Sequence, residues 1–190
     1  RTSETAWGTR SWTYFSDGTV QSFTDVSGTV TTHALDASGW RVGGIGYSNE
    51  PEHVVEAADV SFTYLANDLL ATMTDGSGLT QLAYDGANRL VSRSHTPVDA
   101  VAPFTVTYTY APNSARVASL DYWGQGTVSY GYDVQGRLTT LTPFGGGPLT
   151  YTYREDGQVA SESSSVMSTA YVYDPVRRLS AMLTTGGATP

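Results

Sequence analysis

Tyr130-Gly131-Tyr132-Asp133-Val134-Gln135-Gly136-Arg137-Leu138 is the clearest copy of a pattern that fills the chain: an aromatic residue, any residue, tyrosine, a turn, and an apolar residue. Aligned on the second tyrosine, the copies have anchors at Tyr14, Leu35, Tyr64, Tyr84, Tyr110, Tyr132, Tyr153 and Tyr173, spaced by 21, 29, 20, 26, 22, 21 and 20 residues. Of the 13 tyrosines, 11 sit at the anchor or two positions before it. A fixed period of this length marks an array of one supersecondary unit, which buries apolar surface only by stacking on its neighbours. Residues 1–190 therefore read as a single repeat array of eight units, and as a segment of a longer chain.

Alternation sets the strand. Positions −2 and 0 of each unit share a face, because successive strand side chains point to opposite sides. Position −2 is Trp12, His33, Phe62, Leu82, Tyr108, Tyr130, Tyr151 or Tyr171, so one face carries paired large residues. The residues between them, such as Thr13, Thr63, Thr109, Thr152 and Val172, are β-formers suited to the other face. The turn follows. Position +1 is aspartate at Asp36, Asp85, Asp133 and Asp174, and position +4 is Gly18, Gly39, Gly136, Gly157, Asn88 or Asp68. Aspartate opens a turn by accepting a backbone N–H, and glycine or asparagine near its end tolerates positive φ. An apolar residue returns at +6 in Val20, Leu70, Leu90, Leu138, Val159 and Leu179.

A second set of breaks lies half a repeat later: Ser27-Gly28, Gly43-Gly44, Gly76-Ser77-Gly78, Gly124-Gln125-Gly126, Gly145-Gly146-Gly147-Pro148 and Gly186-Gly187. Two strands and two turns per unit give an all-β meander of about 14–18 short strands with little or no helix. The expected architecture is tandem hairpins stacked into a twisted, mostly antiparallel spiral sheet or ribbon. Tyr84, Tyr132, Tyr153 and Tyr173 are expected to be substantially buried in ladders, and Gly136 and Gly157 to have positive φ. Glu50–Ala58 reads as an insertion loop or one short helical turn. Sheet edges are expected at Trp7–Tyr14 and Leu179–Pro190; such edges recruit either neighbouring repeats or stacked copies in a fibre.

Composition excludes several functions. The chain is 39% hydrophobic, 12% aromatic and only 15% charged, which is not the composition of a disordered segment. A formal net charge of −8 argues against nucleic acid as a partner. No apolar run approaches the roughly 20 residues of a membrane-crossing helix. Cysteine and lysine are both absent, removing disulfides, thiolate chemistry and lysine catalysis together.

The pattern resembles the YD repeat of the Rhs family, which includes shell proteins of bacterial insecticidal toxin complexes, polymorphic toxins and the extracellular part of teneurins. Gly126…Tyr130-x-Tyr132-Asp133-x-x-Gly136-Arg137-Leu138 carries the match. Tyr84-Asp85-x-x-Asn88-Arg89-Leu90 and Tyr171-x-Tyr173-Asp174-x-x-Arg177-Arg178-Leu179 support it. It covers Trp12 to Leu183 and is weakest from Leu35 to Asp68. The resemblance implies a repeat-built hollow shell, secreted or at the cell surface, that encloses a toxin polypeptide or forms an extracellular barrel. It implies no self-cleavage here, since Arg177 stands where the family's Asp-Pro-x-Gly element needs glycine.

No catalytic, cofactor-binding or metal-binding residues are expected. His33 lies at a strand position, whereas His53 and His95 read as insertion residues, and none has ligand spacing. Turn geometry already accounts for Asp17, Asp36, Asp85, Asp133 and Asp174, so they do not read as a glycosidase pair. Asp75-Gly76-Ser77-Gly78 lacks a full calcium ligand set. Ser161-Glu162-Ser163-Ser164-Ser165 reads as a polar loop or solvated edge. The expected function is a non-catalytic wall that encloses or displays a cargo polypeptide. Its partners would be neighbouring repeats, in the chain or in stacked copies, and an encapsulated toxin polypeptide. The alternative is a self-associating extracellular fibre or adhesin module that binds glycans through exposed aromatics.

Overall fold

The computed structural model describes residues 2–5, 8–48 and 59–186. Its secondary structure there is entirely β, with 17 strands and no helix among the described residues. The chain divides into two compact units, Arg1–Phe104 and Thr105–Pro190. The first holds β1 (Thr2–Thr5), β2 (Gly8–Tyr14), β3 (Val20–Thr24), β4 (Val30–Leu35), β5 (Val42–Ser48), β6 (Val60–Tyr64), β7 (Leu70–Asp75), β8 (Gly78–Tyr84) and β9 (Leu90–Pro97). The second holds β10 (Phe104–Tyr110), β11 (Val117–Tyr122), β12 (Thr127–Tyr132), β13 (Leu138–Thr142), β14 (Leu149–Tyr153), β15 (Val159–Ser163), β16 (Ser168–Tyr173) and β17 (Leu179–Thr185). Within each unit every strand pairs antiparallel with the next in sequence, which makes each a continuous meander.

One turn recurs in every repeat. The N–H at +1 donates to the carbonyl that precedes the next strand, and the N–H at +4 donates back to the +1 carbonyl. In the Tyr132 repeat these are Asp133 N to Arg137 O at 3.0 Å and Gly136 N to Asp133 O at 2.8 Å. Gly136 and Gly157 have φ of 79° and 87°, as the turn reading requires. The same left-handed conformation is forced on Asp68, Asn88 and Arg177, at φ 66°, 61° and 68°. The anchor pairs with the apolar residue at +6, as in Tyr132↔Leu138 and Tyr153↔Val159. Two repeats lengthen the turn by one residue, so Leu35 pairs with Val42 and Tyr110 with Val117.

A bulge sits immediately before the anchor in all eight hairpins, for example between Gly131 and Tyr132. Bulges re-aim a side chain relative to the regular pleat. The two faces differ as the alternation requires. In β14, Leu149, Tyr151 and Tyr153 are half-buried, whereas Thr150 and Thr152 are exposed. On the polar face, position −1 forms hydroxyl pairs across its hairpin: Thr13–Ser22 and Thr63–Thr72 at 2.7 Å, Thr109–Ser119 at 2.6 Å, and Thr152–Ser161 at 2.7 Å.

The structure corrects several sequence expectations. Gly43-Gly44 is not a turn but lies inside β5. A Cβ on Gly43 would stand 3.0 Å from Asp36 Cα, so glycine there permits close backbone approach. His95 is not in an insertion; β8 and β9 form a long hairpin extending to Gly78↔Pro97, which places His95 opposite Thr80. Ser161–Ser163 belongs to β15 and pairs on both sides, so this stretch is neither loop nor edge. Gly8–Tyr14 is likewise not an edge, because β1 covers it. At the other end β17 pairs only with β16 among the described residues. Trp7, Glu50–Ala58 with His53, Gly187 and the last residues of Leu179–Pro190 lie outside the described residues.

The β7–β8 turn gives a sharp test. Gly78 has φ 140°, and a Cβ there would lie 2.1 Å from Thr96 O, whereas Gly76, two residues before it, has open space. Gly78→Ala should cost about 2 kcal/mol or more in urea unfolding, through backbone strain, whereas Gly76→Ala should stay within about 0.5 kcal/mol.

Candidate functional site: a tyrosine and arginine ladder

The tyrosine and the arginine of the motif join one repeat to the next, whereas the aspartate and the glycine bond within their own turn. The anchor hydroxyl donates to the backbone carbonyl that opens the second strand of the preceding hairpin. The bonds are Tyr64 to Val42 O (2.7 Å), Tyr84 to Leu70 O (2.9 Å), Tyr132 to Val117 O (2.8 Å), Tyr153 to Leu138 O (2.7 Å) and Tyr173 to Val159 O (2.9 Å). The acceptor is the residue that pairs with the preceding anchor, so the bulge, the turn and the hydroxyl bond share one register.

An arginine of the preceding turn lies over the anchor ring. Guanidinium-to-ring distances are 4.8 Å for Arg41 over Tyr64, 6.0 Å for Arg116 over Tyr132, 4.5 Å for Arg137 over Tyr153 and 5.3 Å for Arg154 over Tyr173. Such contacts contribute about 0.5–1 kcal/mol each at exposed positions. The ladder therefore alternates arginine and tyrosine, where the sequence reading expected tyrosine on tyrosine. Trp12 and Phe23 form an aromatic pair of their own, with centroids 5.3 Å apart. The anchors are also half-buried rather than substantially buried, and Tyr14 is 42% exposed. The reason is the sheet's thinness: Val30 is the only buried hydrophobic residue among the described ones.

The turn aspartate holds the arginine in place. Asp133 Oδ1 accepts the N–H groups of Gln135 (3.0 Å) and Arg137 (2.8 Å), while Oδ2 accepts Arg137 Nε at 2.6 Å. Asp85 with Ala87 and Arg89, and Asp174 with Val176 and Arg178, repeat the arrangement. Asp36 bonds Ser38 and Arg41, and Arg41 also reaches Asp68 at 2.7 Å. Asp25 and Asp75 cap the other class of turn through Ser27 and Ser77. The side-chain bond from Arg89, then its N–H, holds the Asp85 carboxyl below its ordinary value; for Asp174 the Arg178 N–H leads and the guanidinium follows. At Asp133 desolvation is the largest single influence and pushes upward. The combined bonds from Arg137 and Gln135 outweigh it, and the net shift is downward.

The histidines form no cluster. His33 lies half-buried in β4, and His95 Nδ1 sits 3.0 Å from Thr80 Oγ1. Among the described residues no three His, Asp or Glu side chains converge as metal ligands. The arginine-over-tyrosine contact and the hydroxyl pairs escaped sequence reasoning. The second had a signal, since Ser22, Thr72 and Ser161 each stand eight residues after an anchor.

These features define a class: an all-β array of hairpins joined by a recurring Tyr-Asp-Gly-Arg set. Comparison with known proteins agrees. Neither a protein-family model nor a curated protein sequence matches the chain. Among solved structures, that of TcdB2-TccC3-Cdc42 aligns with TM-score 0.77 at 18% identity, covering 96% of this chain and 10% of that one. TcdB2-TccC3 aligns with TM-score 0.76 at 18% identity, covering 93% and 10%. A Photorhabdus luminescens Tc holotoxin pore aligns with TM-score 0.75 at 18% identity, again covering 93% and 10%. The chain thus spans a tenth of the length of each. The likeness is one of fold, and the fold is the one that the Rhs/YD-repeat resemblance implies.

Two outcomes follow for the ladder. Tyr132→Phe, which leaves the Val117 carbonyl without its donor, should cost about 1 kcal/mol, and Tyr132→Ala about 2–4 kcal/mol, in urea unfolding. A depressed carboxyl stabilises the fold above its unfolded pKa. Ladder stability should therefore be full above about pH 5 and fall as acid passes about pH 4 and the lower folded values. Asp85→Asn, Asp133→Asn and Asp174→Asn combined should flatten that acid limb.

Proposed function

We propose that the chain is a non-catalytic wall segment of a secreted or surface YD-repeat protein, and that its eight units run on as a single array within a longer polypeptide. Such a wall encloses or displays a cargo polypeptide. The observation that carries this reading is the use of the motif's own chemistry. The repeated carboxylates, guanidinia and phenols are engaged with one another and with backbone, so the motif's product is a continuous sheet. The likeness to toxin-complex structures supports the same reading, because this fold occurs there as a tenth of a much longer chain.

The edge of β17, which pairs only with β16 among the described residues, favours a second reading, self-association into a fibre. Leu179, Met182 and Leu183 on that strand are 51%, 56% and 57% exposed, and an unpaired apolar edge is a template for further strands.

Protease protection tests the first reading. Within the parent polypeptide, a downstream segment should resist digestion while the repeats are folded, and should become cleavable when Tyr132→Ala and Tyr153→Ala together break the ladder. A segment cut equally fast in both backgrounds would show that nothing is enclosed. Fibres growing from the isolated 190-residue chain, with no protected segment in the parent, would favour the second reading.

A further inference from the structure

We draw no further inference here: the strongest candidate, the apolar trough of about 440 Å³ that Leu120, Tyr122, Val128 and Phe144 line between β11, β12 and the β13–β14 turn, carries nothing because nothing in the structure shows what covers it.

Discussion

A hairpin one layer thick has two faces and no interior, and every other feature of this chain answers that constraint. With Val30 the single buried hydrophobic residue among those described, area burial in a central core cannot be the main stabilising term. The alternative is edge-to-edge cohesion, in which each repeat supplies what the next one lacks. The anchor hydroxyl finds a backbone carbonyl one hairpin back, and the ring beneath it receives an arginine from the same place. Backbone ladder bonds fix the spacing; the side-chain ladder fixes the register.

That arrangement explains why a weakly charged chain spends its charges as it does. Aspartate at +1 closes its own turn and also orients an arginine toward the following repeat, so one carboxylate serves local and longer-range order together. Where aspartate is missing, the backbone turn survives, as at Ala111 and Arg154. Arg154 enters the ladder from the +1 position itself and reaches Tyr173. The cation's location is thus conserved in space while its place in sequence moves.

Much of this was legible because β alternation and turn chemistry act over a few residues. Asp133, Gly136 and Leu138 announce a hairpin whose partner is already in view, and the structure pairs them as expected. Much of what escaped the sequence depends on neighbours in another repeat, such as the hydroxyl bond from Tyr153 to Leu138 or the bridge from Arg41 to Asp68. Gly43-Gly44 misled for a related reason: glycine marks close approach as readily as it marks a turn, and only the folded hairpin shows Asp36 beside it. The length of β9, which carries His95, likewise follows from pairing with β8 rather than from its own composition.

The ladder also makes length a free variable. Its acceptors are backbone carbonyls, and its donors are anchor tyrosines, so copies that carry the tyrosine can face one another across a junction. Excising or duplicating one module of 20 to 22 residues leaves the flanking copies with partners of unchanged chemistry. Genetic recombination between copies would therefore produce in-register joins, and the array could lengthen or shorten by whole modules without a new packing solution.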